Sequence, residues 1–168
     1  MAGSLYAPIM SQTLTHRYHL PTPRARECQI GRYNRPGASL GLSADRTDEL
    51  IQEVRKGLSF KTLESLSSKS GISVPALAAI IEIPERTLAR RKAAGRLARD
   101  ESERLLRIST IFQKAVELFN GDMPEAVAWL LRPRRALADH TPLAYSGTEL
   151  GAREVENLIG QLEHGVFP

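Results

Sequence analysis

Residues 73–97 read SVPALAAIIEIPERTLARRKAAGRL. The pattern predicts two helices and a turn. Ser73 supplies an N-cap oxygen, and Pro75 falls in the first turn, where a missing N–H costs little. Leu77, Ile80 and Ile81 recur at helical spacing and form an inner stripe. Pro84 opens a second helix, PERTLARRK, in the same way. Two helices parted by so short a turn have the spacing of a helix-turn-helix unit. The first helix of such a unit carries a small residue at the crossing, here Ala78 or Ala79. The second turns one apolar residue, Leu88, back to the core. Glu82 stands near the turn, where such units often have glycine, so the turn is expected to differ in detail.

The second helix is strongly basic. From Pro84 to Arg99, Arg86, Arg90, Arg91, Lys92, Arg96 and Arg99 face Glu85 alone. At about 100° per residue, Arg86 and Arg90 lie opposite Leu88 and point away from the core. A charge run by itself is most often a solvated face. The preceding helix, the short turn and the inward Leu88 favour an element that enters the major groove of DNA. Arg86 or Arg90 is then expected to read guanine through bidentate hydrogen bonds, with Arg91, Lys92 and Arg96 on phosphates and Thr87 in the same contact set. Glu85 is unusual beside phosphate and suits a cytosine amino group instead.

The rest of the chain is ordinary for a globular protein of 168 residues, with 42% hydrophobic, 25% charged and 5% aromatic residues. An aliphatic core of that kind suits packed helices. The net charge of +4 is unevenly spread: the middle is basic, while residues 141–168 hold Glu149, Glu154, Glu156 and Glu163 against Arg153. A basic middle and an acidic end suggest two different partners. Cys28 is the only cysteine, which excludes an intrachain disulfide and a cysteine zinc cluster. The start MAGSLYAPIM lacks a basic n-region and a long apolar run, and no stretch approaches the roughly 20 apolar residues of a membrane span. A cytoplasmic setting is expected, with no membrane partner.

Residues 1–46 form the first expected unit, in which PTPRARECQIGRYNRPGAS reads as an extended or disordered basic arm. Residues 47–120 form a helix-turn-helix domain and residues 121–168 a small C-terminal helical domain. Helical signals begin with Thr47 as a cap, followed by Leu50, Ile51 and Val54, and stop at Gly57. Phe60, Leu63 and Leu66 share a face before Gly71. Asp100 and Glu103 make a D-x-x-E pattern close to a capping box. Leu105, Ile108, Phe112, Ala115 and Phe119 give a long amphipathic helix ended by Asn120-Gly121. Asp122, Pro124 and Glu125 start another helix, EAVAWLL, stopped by Pro133, with Trp129 as a core residue. Thr141-Pro142 begins a brief helix, and Thr148 caps a last one bearing Val155, Leu158, Ile159 and Leu162. Nothing alternates as a strand would, so the fold class is all-α.

The C-terminal portion, WLLRPRRALADHTPLAYSGTELGAREVENLIGQLEHGVFP, resembles the toxin-binding domain of the Xre/MbcA/ParS family of bacterial antitoxins. The matching elements are Trp129-Leu130, the Pro133 break, Ala136-Leu137, Thr141-Pro142-Leu143, Gly151, Val155 and Gly165. The segment GISVPALAAIIEIPERTLARRKAAGRLARDESERLLRI resembles the Xre-type helix-turn-helix of the same family. Together the resemblance covers roughly Leu50 to Pro168. Two departures stand out: Arg134 follows Pro133 where such domains commonly have Asn, and no Gly occurs near Ala138-Asp139.

The resemblance implies a type II antitoxin encoded beside a toxin of the Res type, whose RES domain consumes NAD. It also implies homodimerisation, toxin binding through the C-terminal domain and repression of its own promoter. On that reading Glu154, Leu158, Gln161, Glu163 and His164 of the last helix, with Val166, Phe167 and Pro168 beyond it, are the expected toxin-binding residues. An apolar tail ending in a carboxylate would plug a cationic, NAD-binding cleft. His16, His19, His140 and His164 lack metal-ligand spacing, Glu154 and Glu156 lack a cleft, and no phosphate loop or nucleophile motif occurs. No catalytic residue, metal or cofactor is therefore expected. The competing reading is a free-standing helix-turn-helix regulator whose C-terminal domain dimerises or senses a ligand.

Overall fold

The computed structural model describes residues 37–42 and 46–165, and the chain there is all-α. Eight helices follow one another: α1 (Thr47–Lys56), α2 (Phe60–Ser70), α3 (Val74–Ile80), α4 (Glu85–Ala94), α5 (Arg99–Leu118), α6 (Met123–Leu131), α7 (Pro142–Tyr145) and α8 (Glu149–Glu163). Short 3-10 helices span Ala38–Leu40 and Arg135–Leu137. Pairing of extended backbone is limited, among the described residues, to two isolated bridges, Ser59 with Arg96 and Arg134 with His140.

Helix α5 is the axis of the fold. It packs against α1, the first 3-10 helix, α6 and α8. Its Leu105, Ile108, Ile111, Phe112, Ala115 and Val116 are buried in a core continuous from Leu40 to Ile159. The expected boundary at residue 120 falls in the turn after α5, while the core runs through α5 unbroken. Burial of so many aliphatic side chains, each contributing about 1.5–3 kcal/mol, fixes the arrangement. Trp129 is buried as expected, tilted against Phe119 at 6.3 Å between ring centroids.

Side-chain caps set most helix starts. Ser73 accepts from the Ala76 N–H, Asp122 from Glu125, Thr141 from Ala144 and Thr148 from Gly151, all as the sequence predicts. Two other starts differ. Helix α1 is capped by Arg46, with Thr47 already helical and no side-chain cap bond. Helix α5 starts at Arg99, so Glu101 rather than Glu103 reaches back, accepting from the Ala98 N–H at 2.7 Å. Ala98 has no side-chain oxygen to reciprocate, so half a capping box forms. Asp100 and Glu103 instead pair along the helix, with Arg104 and Arg99 respectively.

Most of the expected arm lies outside the described residues. Residues 37–42 fold back, and Leu40 is buried against α2 and α5. Left-handed Gly37 and Gly41 bracket that turn. The Ser39 hydroxyl donates to the Ser109 carbonyl, and the Ser39 carbonyl accepts from Lys69 Nζ. Cys28, His16 and His19 lie outside the described residues.

Candidate functional site

The turn between α3 and α4 closes with two bonds, Ile83 N–H to the Ala78 carbonyl at 2.8 Å and Glu82 N–H to Ala79 at 3.1 Å. These are the bonds of a Schellman motif, with Glu82 at the left-handed position and φ of 58°. Glutamate thus takes the conformation glycine usually supplies, and its carboxylate meets Arg104 at 3.4 Å. Ala78, not the exposed Ala79, is the small buried residue of the first helix. Ile81 and Ile83 anchor the turn in the core, and Leu88 packs partly buried against it.

Helix α4 has no fully buried residue of its own. Its outward face carries Arg86, Ala89, Arg90 and Ala93, all exposed. Arg86, Arg90, Lys92 and Arg96 have no acidic partner among the described residues. By contrast, every cation from Arg99 to Lys114 is paired: Arg99 with Glu103, Arg104 with Asp100 and Glu82, Arg107 with Glu149, and Lys114 with Glu156. Unpaired cations on an exposed helix form the footprint that duplex phosphates require. Ala89 and Ala93 were not singled out by the sequence reading. Their small side chains let the helix approach closely, and alanine is suited to a thymine methyl. Thr87 is half-buried on the flank of that face.

Arg91 is placed differently from the other basic residues. It lies only about 60° from Leu88 around the helix, and so faces the body. Its Nε donates to both carboxylate oxygens of Glu101, at 3.0 and 2.8 Å. Glu101 is 5% exposed. Beyond it, Gly95 turns left-handed, and the Phe60 N–H to Gly95 carbonyl and Leu97 N–H to Leu58 carbonyl bonds tie the end of α4 to the start of α2.

Helix α8 lies along α5, held by the Arg107–Glu149 and Lys114–Glu156 pairs and by Arg107 donating to the Gly147 carbonyl. Val155, Leu158 and Ile159 face the core. Leu158, expected in the toxin-binding set, is 7% exposed and belongs to this inner stripe, so its side chain is packing and not contact surface. Glu154, Gln161, Glu163 and His164 are exposed as that reading requires. Leu150, 76% exposed, shares the outer face with Glu154 and Gln161 and was missed by the sequence reading. Its signal was an apolar residue lying off the inner stripe, about 140° from Val155. Val166, Phe167 and Pro168 lie outside the described residues.

Burial pushes the Glu117 carboxyl above the usual carboxylate range, Glu163 pushes it further, and Lys114 partly offsets both. In the connection before α7, Arg134, standing where Asn was expected, lies over the Trp129 ring at 5.2 Å. Ala138 and Asp139 both adopt left-handed backbone where glycine was expected. His140 Nδ1 lies against the Ala138 carbonyl at 2.9 Å and serves the loop. Among the described residues, no group of His, Cys, Asp and Glu is placed to hold a metal ion, and no helix is long and apolar enough to cross a membrane.

Comparison with known proteins matches both halves. Residues 49–109 match the antitoxin Xre-like helix-turn-helix domain, and residues 114–165 match the antitoxin Xre/MbcA/ParS C-terminal toxin-binding domain. The chain is 36% identical over 151 residues to antitoxin Xre of Yersinia enterocolitica, covering 89% of this chain and 97% of that one. It is 33% identical to antitoxin Xre of Photorhabdus laumondii, over 76% of this chain and 87% of that one. Antitoxin Xre of Pseudomonas putida is 34% identical over about half of each chain, 49% and 52%.

Proposed function

The chain belongs to the Xre family of antitoxins, and we propose that it silences a RES-domain toxin that consumes NAD and represses its own operon. In this reading the segment Val166-Phe167-Pro168 enters the toxin's active site, beside the cations that otherwise hold NAD phosphates. The outer face of α8, with Leu150, Glu154, Gln161, Glu163 and His164, docks beside that site. Arg86, Thr87, Arg90, Lys92 and Arg96 contact operator DNA, and two copies bind together. Antitoxins of this kind are not enzymes, and inhibition is by contact.

The observation that carries the reading is the presence of two different exposed faces on one scaffold: the basic face of α4 and the outer face of α8, each tied to α5 by ion pairs. Two ligands of opposite charge can then be held without competing for one site.

A tagged pull-down from the source cells tests this. The captured partner is stripped under denaturant, refolded and assayed for NAD consumption. A stoichiometric partner that depletes NAD, and stops when this chain is added back, supports the antitoxin reading with a RES-type target. Self-association alone, with DNA in the eluate, would support the free-standing regulator.

A further inference from the structure

We propose that Arg91 and Glu101 form a clamp that sets the attitude of the recognition helix, so that Arg91 is a positioning residue and not a phosphate contact. The proposal rests on the DNA-binding reading of α4 and deepens it.

Helix α4 buries no side chain completely, so apolar packing alone does not fix its orientation. Its start is held by the Ile81–Ile83 turn and its middle by the half-buried Leu88. Its last turn is held by polar contacts. Glu101 receives Arg91 Nε on both oxygens and the Ala98 N–H on one, so one buried carboxylate joins α4 to the first turn of α5. The same junction is stitched by the Leu58–Leu97 bond and by the Ser102 hydroxyl, which accepts from the Leu58 N–H at 2.8 Å. Gly57 completes it, since a side-chain carbon there would overlap the Leu97 carbonyl oxygen.

An Arg91 guanidinium spent on Glu101 keeps its own charge neutralised and faces the body. What it supplies is geometry. Base-edge hydrogen bonds demand accurate placement of Arg86 and Arg90, whereas phosphate contacts depend mainly on charge. Loss of the clamp should therefore lower discrimination between sequences while leaving the number of phosphate contacts unchanged.

The test measures affinity of the full chain across a salt series for two duplexes. One is the stretch immediately upstream of the chain's own reading frame, and the other is an unrelated duplex of equal length. Lys92→Ala, which removes a phosphate contact in this reading, is expected to reduce the salt slope by about one on both duplexes. Arg91→Ala is expected to keep the slope and cut discrimination between the duplexes by tenfold or more, and Arg91→Lys, which can still pair with Glu101, should restore part of it. A slope reduced by about one in Arg91→Ala would make Arg91 a phosphate contact and overturn the proposal. Unaltered slope and unaltered discrimination would overturn it as well.

Amide hydrogen exchange on Glu101→Gln decides the clamp without DNA. Faster exchange from Arg90 to Arg96, with α8 unchanged, is expected, and unchanged exchange in α4 would overturn the clamp. If the wild-type chain binds neither duplex, the DNA reading fails by itself, and the exchange result still rules on the clamp.

Discussion

Gly151, in the first turn of α8, lies against the carbonyl oxygen of Tyr145, the last residue of α7, so closely that a side-chain carbon at 151 would overlap that oxygen. The contact packs the two helices into one corner, with Thr148 Oγ1 accepting from the Gly151 N–H at 3.1 Å. Backbone on one side and a helix on the other leave nothing flexible to yield. Gly151→Ala is expected to destabilise the chain by about 1–3 kcal/mol, the range of overpacked cores. Chemical denaturation checks this, and an unchanged midpoint would mean that the corner opens freely.

The left-handed Glu82 predicts the opposite sign. A non-glycine residue in that region carries strain of about 1 kcal/mol or more, and its partner Arg104 sits in an exposed pair of small value. Glu82→Gly should therefore stabilise the chain by about 0.5–1 kcal/mol after the extra entropy of an unfolded glycine is included. For a chain of this size the melting temperature would rise by about 2–4 °C per kcal/mol. A fall would show that the Arg104 pair outweighs the strain.

Glu117 makes stability depend on pH. Its folded pKa is raised, first by burial and then by Glu163, against the opposing effect of Lys114. Protonation is thus easier in the folded state, so the associated stability is present below the unfolded pKa and lost as pH rises through the folded one. Glu117→Gln should be more stable than the wild type at neutral pH, and that advantage should vanish as pH falls below the ordinary carboxylate range. Denaturant midpoints of both proteins across the acid range check the sign; a gap that widens on acidification would refute it.

Much of this architecture was legible in the sequence because its causes are local. Ser73, Asp122, Thr141 and Thr148 each cap an N–H three residues away, so residue type and position suffice to find them. The outward setting of Arg86 and Arg90 followed from helical angle relative to Leu88. The start of α5 did not follow, because D-x-x-E offers one register locally while the tertiary Leu58–Leu97 bond sets another, with Ala98 as cap. Arg91 was read with its basic neighbours because its partner lies across a left-handed glycine and a helix end. Leu158 shows the converse error: apolar periodicity had already assigned it to the core, and one side chain cannot also serve an exposed surface.

Charge on α4 gives a prediction that separates its two functions. Arg86→Ala with Arg90→Ala should weaken binding to the upstream duplex by about 1–3 kcal/mol for a base-reading arginine, and narrow the preference for it over an unrelated duplex. Toxin binding should be unaffected, since α4 meets α5 through Arg91 and Glu101 in its first turn, whereas α8 pairs with Arg107 and Lys114 further along it. Co-purification of the partner with the double variant, beside a duplex-binding assay, checks both halves. Undiminished duplex affinity would mean that another element reads the DNA.

The central claim is inhibition by an inserted tail, and the most direct measurement is a titration of the partner's NAD consumption with the full chain and with residues 1–165. The full chain should stop consumption at a stoichiometric ratio. The shortened chain should bind the partner through α8 yet leave NAD consumption running. Equal inhibition by both chains, or a partner that consumes no NAD, would contradict the account.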